Sequence, residues 1–341
     1  AWEEVEKGEH RPSTARAIVL RTDLLLGRKK IDADEAADEL EKLRFSWRGG
    51  EFEFKLLREL GRLHIKSDDY RNGLRTLRQA VTYFRDNPAT GQVTKQMAEA
   101  FTDLYLNDKA DSMQPVRAIA LFEEFKELTP SGEQGEEMIR KLADRLAAVD
   151  LLEPAAKLLE EQIKSRLKGA ERARVGARLA TIYLLNRQPK LAREAIQKSA
   201  ANGLPPELSA QRRILSARAL MDMNQSPSAI SLLEDDDSRE ADLLRTEIYW
   251  KDTDWANATK PLQRLVRSMG AGPGDELNEQ QSQTVLNLAV ALVLSGNERG
   301  VGRLRRDYSA GMDATPFKDA FRLIASPNAV GLLDYRTVAS K

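Results

Sequence analysis

Residues 180–199, ATIYLLNRQPKLAREAIQKS, contain the pattern that decides the fold of this chain. The small residue Ala180 is followed three positions later by Tyr183, and Ala192 and Ile196 repeat a small and a large residue further along. Residues three and four positions apart share one face of an α-helix. The stretch therefore predicts two helices that pack against each other through small residues.

The same offsets recur along the chain, which predicts a helical repeat. The pattern starts again at Gly61, Ala143, Ala217, Thr246 and Ala289. No run of alternating β-branched residues is long enough to form a strand, so the predicted fold class is all-α. From residue 143 onward the small residues are separated by 37, 37, 29 and 43 positions, so the array is irregular.

Two glycines in the segment from Phe52 to Pro88 carry information about packing. Glycine in a helix costs about 1 kcal/mol relative to alanine, a cost that is tolerated where two backbones approach closely. Gly61 and Gly73 occupy the positions at which the two helices of one pair would cross. We therefore expect a close helix contact at this point.

The spacing, the small crossing residues and the prolines that follow several pairs resemble the tetratricopeptide repeat (TPR) over roughly residues 52–308. The resemblance implies a right-handed α-solenoid of stacked antiparallel helix pairs, with about seven pairs in residues 52–308. Residues 1–51 are expected to form an N-terminal helical pair that acts as a cap, with Asp32 or Asp34 capping its second helix. Because the spacing departs from the family period of about 34 residues, a looser α-solenoid is an open alternative.

The C-terminal residues 309–341 are expected to contain two helices, Pro316–Ile324 and Ala329–Val338, which cap the array or begin a further repeat. The helix from Val285 to Leu294 is apolar almost all round, so we expect it to be covered on both sides. The cover would be the C-terminal helices, a second copy in a homo-oligomer, or a partner protein.

The amino-acid composition narrows the classes of function that this chain can have. The chain has 53 Lys and Arg against 53 Asp and Glu, no cysteine and two histidines in 341 residues. Neither nucleic-acid binding nor a metal site is favoured by these numbers, and no cofactor and no catalytic residues are predicted. No apolar run is long enough to span a membrane, and the chain begins without methionine and stops in mid-pattern, which suggests a piece of a longer protein.

Four local features of the sequence suggest a ligand-binding site, but each has a simpler structural explanation. The stretch Gly270–Gly274 suggests a phosphate loop, but a flexible loop between repeats explains it better. The acidic run Glu234–Asp237 suggests a cation site, but a solvated turn that caps the next helix is favoured. Arg212-Arg213 suggests phosphate contacts, although most such clusters are solvated helix faces, and His64 is expected to lie in or near the core.

The resemblance places the first helix of each pair on a concave groove, and this assignment selects six arginines. They are Arg58, Arg62, Arg140, Arg174, Arg178 and Arg218. Guanidinium groups bind carboxylates in a bidentate manner, so an acidic segment is the expected ligand. Equally open is the alternative that these arginines pair with Asp144 and other neighbouring acids. Trp250 and Val290 would add an apolar anchor.

These features favour a non-enzymatic scaffold or adaptor that binds a protein or peptide partner in the groove. The alternative is an architectural subunit of a larger bacterial envelope or motility assembly. The tail from Phe321 onward resembles segments of large exported bacterial TPR proteins, which favours the periplasm over the cytoplasm.

Overall fold

The computed structural model describes residues 11–46, 49–165 and 167–326, and these residues contain 17 α-helices and no strand. The all-α prediction is therefore confirmed for the described part of the chain. The chain divides into two compact units, Ala1–Leu158 and Leu159–Lys341. The boundary falls within one helix.

Unit 1 contains seven helices and the first half of an eighth. Their bounds are α1 (Arg11–Gly27), α2 (Ala33–Ser46), α3 (Gly50–Lys66), α4 (Tyr70–Tyr83), α5 (Thr90–Leu106), α6 (Pro115–Glu124), α7 (Glu133–Ala148) and α8 (Leu152–Ser165). Two short 3-10 helices, Lys109–Ser112 and Lys126–Leu128, precede and follow α6. The predicted N-terminal pair is present as α1 and α2. Asp32 caps α2, because its Oδ1 accepts from the backbone N–H of Glu35 at 2.9 Å.

Unit 2 contains the end of α8 and nine further helices. Their bounds are α9 (Gly169–Leu185), α10 (Pro189–Lys198), α11 (Pro206–Asp222), α12 (Ser226–Leu233), α13 (Arg239–Lys251), α14 (Trp255–Ser268), α15 (Glu279–Leu294), α16 (Glu298–Asp313) and α17 (Lys318–Ile324). Consecutive helices pack in pairs, and the first helices of neighbouring pairs, α9 with α11 and α11 with α13, also touch. The predicted helix Pro316–Ile324 is α17, whereas Ala329–Val338 lies outside the described residues.

The close approach predicted at the two glycines is present between α3 and α4. A Cβ atom on Gly61 would lie 2.6 Å from Cγ of Leu77, and one on Gly73 would lie 2.6 Å from Cγ1 of Ile65. Real Cβ atoms do not approach other atoms this closely, so any larger residue would force the two helices apart. The sequence prediction for Gly61 and Gly73 is confirmed.

The turn inside each pair ends its first helix in the same way. One residue of every such turn has a positive φ: Lys29, Asp68, Asp108, Asp150, Arg187, Asn224, Thr253 and Gly296. In seven of these eight turns, all except the one at Asp108, the next backbone N–H bonds back over five residues, as from Gln188 to the carbonyl of Tyr183 at 2.8 Å. This hydrogen bond and the left-handed residue are the marks of a Schellman-type helix end.

The left-handed residue stands at a fixed distance from the small crossing residue. It lies seven positions after Gly61, Ala143, Ala180, Ala217, Thr246 and Ala289. The recurring sequence pattern thus specifies both the helix crossing and the point at which the first helix must stop.

The apolar helix α15 is covered by its own C-terminal neighbours. Its residues Leu288 and Leu292 are buried in a cluster with Phe321 of α17, and Phe321 is only 1% exposed. Of the three covers expected from the sequence, the C-terminal helices supply this one. Homo-oligomerisation stays a prediction, and Leu294 at the end of α15 remains 37% exposed.

The glycine-rich loop between α14 and α15 is anchored, which corrects the expectation of a flexible loop. Gly274 donates its N–H to the carbonyl of Asp307 at 2.8 Å, and the hydroxyl of Tyr308 donates to the carbonyl of Ala271 at 2.9 Å. A Cβ atom on Gly311 would lie 2.2 Å from the carbonyl oxygen of Asp275. The loop is therefore packed onto α16 and is held there by these backbone hydrogen bonds.

Candidate functional site

Three of the six predicted arginines belong to unit 1. Arg62 on α3 donates from Nε to Oε2 of Glu59 at 3.1 Å, and this hydrogen bond raises the pKa of Arg62. Arg140 on α7 also interacts with a neighbouring residue. Arg58 is half-buried beside Tyr83 at an open cavity of about 660 Å³, and no described carboxylate pairs with it. Arg58 and Arg62 stand one turn apart on α3, whereas Arg140 lies on α7, and a shared role for the three stays a prediction.

In unit 2 the predicted residues lie on the first helices of four consecutive pairs. We call the solvent-facing side chains of α9, α11, α13 and α15 the first-helix face of unit 2. On α9 this face consists of Arg174, Arg178, Thr181 and Leu185, all exposed and spaced at four, three and four positions. That spacing keeps them on one side of the helix. Leu185, which is 63% exposed, adds a large apolar group about two turns beyond Arg178 on the same side of the helix.

Further along the first-helix face, charge gives way to apolar surface. Arg218 of α11 is bonded to Glu247 of α13, from Nη2 to Oε2 at 2.9 Å. Leu243, also on α13, is 51% exposed. The ring of Trp250 stands edge-on to Trp255 with the centroids 5.0 Å apart, and Trp250 is half-buried.

Val290 of α15 is half-buried and does not belong to the apolar cluster beneath it. Both predicted apolar anchors, Trp250 and Val290, therefore retain some exposed surface. Whether they contact a partner stays a prediction.

Two arginines of the first-helix face, Arg174 and Arg218, have acidic neighbours of the kind that the alternative sequence interpretation expects. Arg174 lies 3.3 Å from Glu171 on its own helix and Arg218 pairs with Glu247 on the next first helix. Arg178 has an interacting neighbour too. Yet the side chain of Arg174 remains 57% exposed, and exposed pairs of this kind are worth only about 0–1 kcal/mol. An incoming carboxylate can therefore compete with Glu171.

Arg212 was expected on a solvated helix face, and that expectation is wrong. It is 6% exposed and reaches from α11 to the carbonyls of Ala173 and Ile196, at 2.5 Å each, and to Oγ of Ser199 at 3.0 Å. Ile196 lies in the last turn of α10, so the guanidinium caps the negative end of that helix. Burial lowers the pKa of Arg212.

Arg245 of α13 repeats the arrangement one pair later, where it donates to the carbonyl of Leu233 at the end of α12. The only sequence signal for these two caps is their position early in the helix that follows a pair. Lysines cap first helices in a related way, since Lys251 donates to the carbonyl of Met221 at 2.7 Å.

The acidic run Glu234–Asp237 is not simply a solvated turn that caps the next helix. Asp236 is 7% exposed and pairs with Arg213 at 2.9 Å. Burial alone would raise the pKa of Asp236, but its hydrogen bonds with Ser238 and Arg213 outweigh burial and lower it. The cap of α13 is Ser238, which accepts from the N–H of Ala241 at 3.2 Å.

Other candidate chemistry finds little support in the described part of the chain. His64 is 15% exposed and lies 3.7 Å from both Glu41 and Asp69, close to the core as expected. Within residues 11–46, 49–165 and 167–326 no group of three or more His, Asp or Glu is arranged to hold a metal ion. None of the helices described there has the length and apolar character needed to cross a bilayer.

The chain has low sequence similarity to known proteins in all three comparisons. No protein-family model matches the chain, and no curated protein matches it. Among solved structures, the TPR domain of P58(IPK) is similar over 84% of this chain and 80% of its own, with 15% identity and a TM-score of 0.30. The assembly chaperone of RpL4, Acl4, is similar over 96% of this chain and 99% of its own, with 13% identity and a TM-score of 0.23.

The architecture itself decides the fold class. Small buried residues at the helix crossings, a left-handed turn in each pair and consecutive pairing of helices occur together in the described residues. The chain is a TPR-like helical-repeat protein. Its TPR-like pairs form an all-α solenoid architecture, and the handedness inferred from the resemblance stays a prediction.

Proposed function

We propose that this TPR-like chain is a non-enzymatic scaffold or adaptor, and that the first-helix face of unit 2 binds an acidic segment of a partner protein. The observation that carries the proposal is the exposed row on α9, where Arg174 and Arg178 stand one turn apart and Leu185 follows on the same side. A row of this kind offers two carboxylate-binding groups and one apolar contact to a single extended or helical segment.

Apolar surface beyond α9 supports the same function. Leu243 is 51% exposed, and Trp250 is half-buried on the same helix. Burial of one large apolar side chain on binding is worth roughly 1.5–3 kcal/mol, and aromatic residues are frequent anchors at interfaces. The arginines would then select an acidic partner and the apolar groups would hold it.

Charge reversal with a matched control tests the proposal. The probe is a fluorescein-labelled peptide in which Asp and Glu alternate with Leu, and its affinity is measured by fluorescence anisotropy. Arg174→Glu combined with Arg178→Glu is expected to weaken binding by about tenfold or more, because two attractive contacts become repulsive. The control combines Lys190→Glu with Lys260→Glu, two exposed lysines on second helices, and makes the same change in net charge.

The two variants separate the possible outcomes. Equal affinities for the wild type and the Arg174/Arg178 variant would remove this face from the function. An equal loss in both variants would show that net charge alone attracts the peptide. Retention of a stable set of envelope proteins by the variant in an affinity capture would instead support the architectural alternative.

A further inference from the structure

A second concave site lies on the other side of α9, away from the first-helix face. It is a cavity of about 250 Å³ between the end of α8, α9 and α10, wholly within unit 2. Its apolar walls are the side chains of Ile163, Leu179 and Leu191 and the ring of Tyr183. Ligand pockets for whole small molecules usually measure about 300–1,000 Å³, so this volume suits an inserted side chain better.

The apolar part of the cavity is open to solvent at one point. Leu179 is 3% exposed and Ile163 is 7% exposed, but Leu191 at the mouth is 38% exposed. A large aliphatic residue left in water beside an apolar cavity is the arrangement expected where a further apolar group docks.

Charges at the rim of the cavity are paired with one exception. Glu194 pairs with Lys198 at 2.8 Å, and Glu160 accepts the hydroxyl hydrogen of Tyr183 at 2.6 Å and lies 4.0 Å from Lys164. Burial and the hydrogen bond to Glu160 raise the pKa of Tyr183, so its hydroxyl stays a donor. The acidic rim groups are therefore already engaged.

Arg172 is the exception. Its Nε is buried, lacks a hydrogen-bond partner, and belongs to a side chain that lines the cavity. No carboxylate among the described residues forms an ion pair with Arg172. A buried N–H without an acceptor is costly, and a guanidinium is satisfied best by a carboxylate. The site thus combines an apolar cavity with one unused cationic donor.

We infer that this cavity binds a partner peptide segment in which an aliphatic side chain is adjacent to a carboxylate. The aliphatic group enters between Ile163, Leu179 and Leu191, and the carboxylate pairs with the guanidinium of Arg172. This inference rests on the proposed function only in that the ligand is a protein partner. The site itself is separate from the row of Arg174 and Arg178.

The probes are fluorescein-labelled peptides with Gly-Ser flanks and a central Leu-Glu, Leu-Gln or Ser-Glu, and their binding to the full chain is followed by fluorescence anisotropy. The Leu-Glu peptide is expected to bind about tenfold more tightly than either of the others, because each lacks one of the two contacts. Octanoate, which carries the same chemistry on a small molecule, serves as a competitor.

Two neighbouring arginines provide a matched pair of variants. Arg172→Gln is expected to weaken Leu-Glu binding by about tenfold, whereas Arg174→Gln, two residues away on the exposed side of α9, should leave it within about twofold. Leu191→Asp at the exposed mouth tests the apolar part without disturbing a buried residue. Circular dichroism confirms that each variant is folded.

Several results would overturn the inference. They are equal affinity for the Leu-Glu and Leu-Gln peptides, equal effects of Arg172→Gln and Arg174→Gln, or binding of octanoate with no binding of the Leu-Glu peptide. The combined Arg174→Glu and Arg178→Glu variant is expected to keep the Leu-Glu peptide. If only that variant fails to bind the Leu-Glu peptide, the peptide binds the first-helix face and the cavity is not its binding site.

Discussion

Arg218 on α11 and Glu247 on α13 form a bidentate ion pair between the first helices of neighbouring pairs. Nη1 of Arg218 lies 3.2 Å from Oε1 of Glu247, and Nη2 lies 2.9 Å from Oε2. This is the geometry in which a guanidinium binds a carboxylate most specifically. Glu247 therefore occupies the position that an acidic ligand would take.

Glu247→Gln is expected to strengthen the binding of an acidic peptide to the first-helix face by about two- to fivefold, because it releases Arg218 from an exposed pair. The measurement is peptide anisotropy as a function of protein concentration. Glu240→Gln on the same helix makes the same change in charge at an exposed position and is the control. Equal gains in both variants would show that the effect is a change in net charge and does not involve Arg218.

Gly176→Ala is expected to destabilise unit 2 by about 1–3 kcal/mol. A Cβ atom on Gly176 would lie 1.7 Å from Oγ of Ser199, which is itself bonded to the buried Arg212. Urea unfolding measures the change. Gly302→Ala in α16 has nothing within 4 Å of the added atom and should instead stabilise by up to about 1 kcal/mol. A stabilising Gly176→Ala would show that α9 and α10 are not packed this closely.

Thr253→Gly is expected to stabilise the chain by about 1 kcal/mol. Thr253 is exposed and has a φ of 55°, a conformation that a β-branched residue adopts only at a cost and glycine adopts freely. The thermal unfolding midpoint should rise accordingly. Thr181→Gly, inside α9, should have the opposite effect, and a loss of stability in both variants would contradict the left-handed turn.

Glu124 makes the stability of unit 1 depend on pH in a predictable direction. Hydrogen bonds from Arg75 and Arg71 lower the pKa of Glu124. Since the folded pKa lies below the unfolded value of about 4.3, the stabilisation is present above that pH and disappears as the pH falls through the folded pKa. Urea unfolding is measured at about pH 7 and about pH 3, on either side of the unfolded pKa of about 4.3. The loss of stability between the two should be smaller for Glu124→Gln than for the wild type. Glu137→Gln, at an exposed position on α7, should behave as the wild type.

The sequence predicted the helix pairs because their signals are local. Gly61 and Gly73 mark a crossing by the absence of a side chain, and the turn follows seven positions after the first of them at Asp68. Helix spacing depends on residues three and four positions apart, and the two helices that cross at these glycines are adjacent in the sequence, so a single sequence contains both signals.

Side-chain partners were harder to predict because they depend on which helices meet. Arg212 and Arg213 are adjacent, yet Arg212 is buried against carbonyl groups while Arg213 is 41% exposed and pairs with Asp236. Long flexible side chains reach several alternative acceptors, and only the packing of α9, α10 and α11 selects among them. The unused donor of Arg172 could not be predicted for the same reason.

The left-handed turn keeps a constant distance from the helix crossing, although the crossings themselves are separated by 29 to 43 positions. The variation in length therefore follows the turn. It lies in the second helices, which have 8 residues in α12 and 14 in α14, and in connections such as the anchored loop before α15. For protein engineering, each helix pair is therefore a unit to be kept whole, and the exposed connections between pairs are the places for insertions. A reporter inserted at the exposed residues Asn202 and Gly203, between α10 and α11, should leave both flanking pairs folded, whereas the same insertion between α9 and α10 should abolish folding of that pair.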